Sequence, residues 1–439
     1  MTMERVVVIG AGVGGLVTAR WLQHTTQMAV TVLERNAYVG GVWKYANKEE
    51  STPISSPMYA NLHTNLPKEI MGVGPYFPFQ PQSRSPSFLA HNAVQRYIEE
   101  FYNHFKLSPC VHTGANVTNV TRNLDKWQVS YSKNGECFTV ECDGLVVCNG
   151  HYNLPHIPHI EGISNFKGVA VHSMTYDYPR PEMRGKRILC IGAGPSGVDI
   201  ASELSVVGKV VLLSCREDRV DRLRERAGET LCVIPPVEKV LPDGAIQDVQ
   251  GGIHIVDTII YCTGYKYDFP FLDDTCGIDV IEEGSVVTPL YRHLFNINHP
   301  TMALVGIPSK ICPFPFMDHQ ARAVCAVFSG RTALPSLEEM LQEMEAEFRT
   351  RREVYGWPSR YGHMMGSLQW GYQDDIADWI GHPRFPRYIG ELYDYCHAIR
   401  SRDPFGGYRR HNFAIVDAGV DELGENTDMA GNSGGEKAE

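Results

Sequence analysis

Arg5-Val6-Val7-Val8-Ile9-Gly10-Ala11-Gly12-Val13-Gly14-Gly15 is the stretch that decides how this chain is read. A short β-branched apolar run passes at once into a glycine-rich turn. A helical pattern follows from about Leu16 to Gln23, and a second apolar run, Val30-Thr31-Val32-Leu33, ends in Glu34. Strand, glycine turn, helix, strand and terminal acid in this order make a dinucleotide-binding unit. Gly10 permits the tight turn, Gly12 lets the backbone approach a pyrophosphate, and Gly15 lets the helix pack close to the strand. The unpaired N–H groups of the helix N-terminus face the phosphates. Glu34 lies 19 residues after Gly15, where it can accept a hydrogen bond from a ribose hydroxyl.

The plan returns later in the chain. Lys186-Arg187-Ile188-Leu189-Cys190-Ile191 reads as a strand and Gly192-Ala193-Gly194-Pro195-Ser196-Gly197 as a second glycine turn. A helix is expected over Val198–Val206 and a strand over Val210–Ser214. The runs Asp143 to Gly150 and Asp257 to Gly264 close the two units in the same register. Where the copies differ, the difference carries information. Nineteen residues after Gly197 stands Arg216, not an acid. A carboxylate suits a free ribose hydroxyl, whereas a guanidinium suits the 2′-phosphate of NADP. The expected fold is therefore α/β, with two Rossmann-like domains for FAD and NADPH, the smaller inserted in the larger. Residues 1–165 and 289–421 would form the FAD-binding domain, the latter part including a substrate-pocket segment, and 166–288 the NADPH-binding domain. A polar, glycine-rich tail over 422–439 is expected to be disordered.

Composition sets the outer limits. A chain of 439 residues with 43% hydrophobic residues can bury a large core. A net charge of −11 argues against nucleic acid as a partner. No apolar run reaches the length of about 18 residues that a membrane span needs. The chain enters its first strand at once, so no signal peptide and a cytoplasmic location are expected, with a secreted protein that has lost its leader as the alternative. Twelve cysteines, none spaced C-x-x-C, read as small buried hydrophobes. The histidines, among them His151, His156, His159, His293 and His299, have proline and apolar neighbours without a ligand-type array, so no metal is expected. A homo-oligomer is compatible with all of this.

Between and beyond the two units lie further signals. Gly40-Gly41-Val42-Trp43 allows the backbone to fold over a planar ligand. Residues 51–90 read as a long ordered loop carrying Thr64-Asn65-Leu66-Pro67, followed by a helix from Asn92 to Phe105. Asn134-Gly135 marks a hairpin within residues 111–142. Aromatics between 360 and 415, such as Trp370, Tyr372 and Tyr408, read mainly as core.

Phe166-Lys167-Gly168-Val169-Ala170-Val171-His172-Ser173-Met174-Thr175-Tyr176 fits F-x-G-x-x-x-H-x-x-x-Y. With the two glycine motifs, the Gly-Gly-x-Trp, the Thr64-Asn65 loop and Cys262-Thr263-Gly264-Tyr265, it resembles the flavin-containing monooxygenases over residues 5 to 330. The chain is similar to their short insect- and plant-type members and is expected to lack the membrane anchor of the vertebrate forms. By that resemblance Gly10, Gly12, Val13, Gly14, Gly15, Glu34, Gly41, Val42 and Trp43 would hold FAD. Gly192, Gly194, Ser196, Gly197, Val198, Asp199 and Arg216 would hold NADPH. Asn65, with Thr64 and Leu66, would sit against the cofactors between flavin and nicotinamide, Asn65 as the catalytic residue, and Gln320 would face the flavin. His172 would be a hinge or a structural residue on the nicotinamide side.

The resemblance implies an NADPH-dependent oxygenation of nucleophilic nitrogen or sulfur in small molecules, with O2 as co-substrate. The products would be amine N-oxides or thioether S-oxides, as in detoxification or alkaloid N-oxidation. It implies a C4a-hydroperoxyflavin whose distal oxygen the nucleophile attacks. An amide suits that site because it donates and accepts without titrating, whereas a carboxylate would repel the anion. Disulfide reductases also pair FAD and NADPH units, but no cysteine precedes Cys110 to serve as their redox pair. A Baeyer–Villiger monooxygenase and an uncoupled NADPH oxidase are the rival activities.

Overall fold

The structure is a computed structural model, and it describes residues 3–48, 56–79, 86–416 and 419–425. Its first sheet has seven strands. Their order is Leu290–Tyr291, Phe295–Asn296, Met302–Leu304, Gly144–Val147, Arg5–Ile9, Ala29–Glu34 and Val111–Thr113. From Met302–Leu304 to Val111–Thr113 every pairing is parallel. The apolar run at the start of the chain thus lies in the interior of the sheet. Val6 and Val8 point into one hydrophobic cluster and Val7 and Ile9 into another. A strand buried on both faces cannot alternate apolar with polar residues, which explains the unbroken run. Each such side chain, fully buried, contributes about 1.5–3 kcal/mol.

The second sheet orders Leu231–Ile234, Val210–Ser214, Arg187–Ile191, Thr258–Tyr261 and Val169–His172, all parallel. All its strands come from between residues 169 and 261, whereas the first sheet takes strands from both sides of that interval. The smaller α/β unit is therefore inserted in the larger one. The chain enters and leaves it side by side: Leu154–Pro155 pairs antiparallel with Tyr265–Lys266, and the His156 N–H donates to the Gly264 carbonyl at 2.9 Å.

The helices Val13–Thr25 and Pro313–Phe328 cover one face of the first sheet. An antiparallel three-stranded sheet, Asn116–Asn123, Lys126–Lys133 and Glu136–Cys142, covers the other and buries Trp127 completely. Its second turn is the expected hairpin, with Asn134 and Gly135 both at positive φ. The helices Leu337–Glu353, Leu368–Trp379 and Arg387–Arg402 complete the outer layer. A reciprocal capping box of Ser336 and Glu339 starts the first of these. Tyr393 and Tyr408 are core, and Trp370, Tyr372 and Trp379 pack against it. All 12 cysteines are free thiols, and only Cys137 and Cys232 are exposed.

Some expectations need correction. The helix expected from Val198 begins at Pro195, since proline at the first helical turn forfeits no hydrogen bond. The tail expected from residue 422 overlaps a strand, because Gly419–Glu425 pairs with His411–Val416 in an antiparallel hairpin. Backbone pairing there needs little apolar content, which is why composition missed it. The rest of that tail lies outside the described residues.

Candidate functional site

The two glycine turns are built alike. The Gly10 N–H donates to the Leu33 carbonyl at 2.8 Å, and the Gly192 N–H to the Ser214 carbonyl at 2.9 Å. The Cys148 N–H reaches the Ile9 carbonyl at 2.8 Å, and the Cys262 N–H the Ile191 carbonyl at 2.8 Å. Gly10 and Gly192 have φ of +101° and +103°. A Cβ on Gly10 would stand 2.5 Å from the Cys148 carbonyl oxygen, and one on Gly192 2.6 Å from that of Cys262. On Gly15 or Gly197, a Cβ would overlap the carbonyl of Gly10 or Gly192 respectively. Here the backbone itself fills the space.

The middle glycines are different. Among the described residues, a Cβ on Gly194 would meet nothing within 4 Å, and one on Gly12 only the Gly41 Cα at 3.6 Å. These positions open onto free space directly before a helix. Neither Val13–Thr25 nor Pro195–Ser205 has a side-chain cap or an acid in its first turn. Their first N–H groups keep no intrahelical partner and sit in the positive field of the helix end. The residues present therefore fit the diphosphate of a dinucleotide in both places.

Around the first turn, Gly41-Val42-Trp43 forms a short 3₁₀ turn, anchored by the Gly40 N–H on the Ala11 carbonyl at 2.9 Å. Trp43 meets Phe314 edge-on. Glu34 is buried; Oε2 accepts from the Ala11 N–H at 2.7 Å, and Oε1 from the Asn36 backbone and side-chain N–H groups at 2.8 Å. Each carboxylate oxygen can accept more than one hydrogen bond, so Oε2 retains capacity for a ribose hydroxyl.

Around the second turn, Gly194 and Ser196 are exposed and Val198 is buried. Arg216 is exposed at the start of the helix Glu217–Arg224 and pairs with Asp218 at 3.1 Å. Arg219 is a residue the sequence reading passed over. It donates from Nη1 to the Ala193 carbonyl at 2.7 Å, inside the glycine turn. Its Nε is buried with no hydrogen-bond partner among the described residues. Burial holds its pKa below the ordinary arginine value, with Arg222 acting in the same direction. It stands three residues after Arg216, the spacing of neighbours on one helix face, which is the signal that could have found it.

Two assignments change. Asp199 does not turn toward the glycine loop: its carboxylate is held by Arg409 at 3.0 and 2.7 Å and by the Tyr59 hydroxyl at 3.1 Å. Gln320 is fully buried, with Oε1 on the Gly306 N–H and Nε2 on the Tyr372 hydroxyl, each at 2.9 Å. With the side chain completely buried and both its polar ends engaged by the protein, it presents no amide to a ligand. His172 spends both ring nitrogens on backbone: Nδ1 accepts from the Met174 N–H at 3.1 Å and Nε2 donates to the Gly264 carbonyl at 3.0 Å. Desolvation holds its pKa below the ordinary value, and no base is available there.

The Asn65 segment rests against the second unit. The Ala60 N–H donates to the carbonyl and the carboxylate of Asp177. Tyr59 and Tyr176 meet edge-on, and the Tyr176 hydroxyl donates to Glu203 at 2.6 Å. Thr64 is fixed by its N–H to the Leu89 carbonyl at 2.8 Å and by Oγ1 from the Leu89 N–H at 2.9 Å. Asn65 itself is half-buried. The arrangement sets an amide side chain on a segment seated on both nucleotide units.

Comparison with known proteins agrees with this geometry. The family model described as flavin-binding monooxygenase-like matches residues 3–226 and 227–389. Two Arabidopsis thaliana relatives are the flavin-containing monooxygenases FMO GS-OX-like 2 and FMO GS-OX5. The first is 35% identical, covering 89% of this chain and 88% of the relative. The second is 37% identical, covering 86% and 85%. The solved structure of S-allyl-L-cysteine S-oxygenase from Allium sativum superposes with a TM-score of 0.84 at 32% identity, over 93% of this chain and 95% of that one.

Proposed function

The chain belongs to the flavin-binding monooxygenase-like family, and from that premise we propose how its residues share the work and which substrate they serve. It is an FAD-containing, NADPH-dependent monooxygenase that oxygenates nucleophilic sulfur or nitrogen of small molecules. One oxygen atom of O2 enters the substrate, the other leaves as water, and NADPH supplies the two electrons. FAD, when bound, supplies the hydride acceptor and the oxygen chemistry that side chains lack.

The residues divide as follows. Residues 1–165 with 289–421 hold FAD, through the turn Gly10–Gly15, the ribose acceptor Glu34 and the cover Gly41-Val42-Trp43. Residues 166–288 hold NADPH, through Gly192, Gly194, Ser196, Gly197 and the cations Arg216 and Arg219. Arg219 is added because an arginine lining the turn with an unpaired buried N–H suits an anionic group. Asn65 donates a hydrogen bond at the reacting centre without bringing charge, and the segment around it excludes water. No described helix is long and apolar enough to cross a membrane.

The substrate class we favour is a small thioether. The supporting observation is the likeness, over nearly the whole chain, to a protein named an S-oxygenase. A thioether sulfur keeps its lone pair at every physiological pH, so its oxygenation calls for no base to free the nucleophile. The alkaloid amine suggested by the insect-type resemblance is the second arm of the test. Purified holoenzyme is given NADPH in air with an S-alkyl cysteine, a tertiary amine or a cyclic ketone, and products are counted against NADPH consumed. Sulfoxide formed in proportion to NADPH supports the reading. N-oxide alone moves the substrate class to amines, lactone identifies a Baeyer–Villiger enzyme, and peroxide unaffected by any substrate identifies an oxidase.

A further inference from the structure

Arg409 comes from the C-terminal segment, yet it touches elements of both nucleotide units. Its two Nη groups grip the carboxylate of Asp199, and its Nε donates to the Thr64 carbonyl at 3.0 Å. The pair is shielded, with side chains 11% and 15% exposed. Burial opposes the charge, but Asp199 together with Tyr408 and Tyr59 outweighs it and holds the guanidinium pKa above its ordinary value. Asp199 lies one turn inside Pro195–Ser205, the helix whose N-terminus faces the second cradle. The Thr64 carbonyl and the Asn65 N–H belong to one planar peptide, so a donor on the first fixes the direction of the second. One rigid, planar cation thus spans from the NADP-side helix to the peptide that carries Asn65.

We propose that Arg409 is a positioning residue that couples the two. Occupancy of the Gly192–Gly197 cradle sets the order of the Asn65 segment through Asp199 and Arg409, and with it the share of consumed NADPH that becomes product instead of hydrogen peroxide. A lysine cannot do the same: it is a point charge without the fork that grips a carboxylate while a third N–H reaches a carbonyl. The inference rests on the placement of NADPH proposed above.

The test is amide hydrogen exchange of the FAD-loaded enzyme with and without NADP, together with the peroxide share in turnover. In the wild type, NADP should slow exchange both at Gly194–Val198 and at residues 59–66. Two variants are compared. Arg409→Lys keeps the charge. Arg409→Gln with Asp199→Asn leaves no buried charge unpaired, so it folds even if the single variant does not. In both, NADP should still protect the glycine turn, while the protection it adds over residues 59–66 falls about tenfold, the effect of losing a hydrogen bond to a charged group. The peroxide share should rise, and for Arg409→Lys the KM for NADPH should stay within about twofold, since no phosphate contact is lost. Wild-type protection of residues 59–66 in both variants, or an unchanged peroxide share, overturns the inference. If NADP fails to protect Gly194–Val198 in the wild type, the cradle assignment itself falls and takes the inference with it.

Discussion

A Cβ on Gly15 would overlap the carbonyl oxygen of Gly10, whereas one on Gly12, three residues earlier, would make only an ordinary contact with Gly41. The two glycines therefore answer to different demands. Gly15 is required by the fold, and Gly12 by what lies in front of the helix. Gly15→Ala should cost several kcal/mol, on the order of other overpacked backbone sites, and lower the melting temperature even of the flavin-free protein. Gly12→Ala should leave that temperature nearly unchanged and abolish flavin retention on gel filtration.

Arg216 and Arg219 should share the selection of NADPH over NADH. Replacing Arg219 by Ala removes a charge-assisted donor beside the turn. It should lower kcat/KM for NADPH by about tenfold to a hundredfold and leave that for NADH within about twofold. Arg216→Ala should act in the same direction. Steady-state kinetics with both donors decides the matter.

In the proposed function, Asn65 offers an amide where negative charge gathers. Asn65→Asp keeps the size and introduces repulsion. Product formation should drop by about a hundredfold or more, as for loss of a donor at an oxyanion site, while NADPH oxidation continues with release of peroxide. The ratio of peroxide to sulfoxide is the measurement. An unchanged ratio would remove Asn65 from the reacting centre.

Glu203 carries a pH dependence. Burial raises its pKa from 4.5 to about 6, and Asp199 adds to this, against the lowering effect of the Tyr176 hydroxyl. A folded-state pKa above the unfolded value means that the stabilising form is the protonated one. Its contribution is complete below about pH 4.5 and is lost as pH rises through about 6. Over that interval the loss is roughly 1–2 kcal/mol, discounted for partial solvent access. Glu203→Gln should flatten this part of the curve of melting temperature against pH and leave the variant at least as stable as the wild type at pH 7.

Much of this was readable from the chain alone, and the reasons are local. Val6 to Ile9, the glycine turns and Glu34 announce themselves because consecutive residues meet one constraint. The insertion was visible because the second sheet is built from one continuous stretch. Gln320, Asp199 and Arg409 were not readable. Gln320 finds Tyr372 from another helix, and Asp199 finds Arg409 from more than 200 residues away, at 2.7 Å. No periodicity or motif encodes such meetings; they follow from the packing of finished elements. Arg219 lies between these cases, since helical spacing from Arg216 points to it once the helix is drawn.

The strand Gly144–Val147 has Arg5–Ile9 on one side and Met302–Leu304 on the other. On the ribosome the first neighbour is long since made, and the second is not yet translated. Everything between them must emerge before the larger sheet can close, whereas the inserted sheet needs only its own contiguous stretch. The nascent chain therefore completes the inserted body early and carries the larger body with one bare strand edge until residue 304 is out.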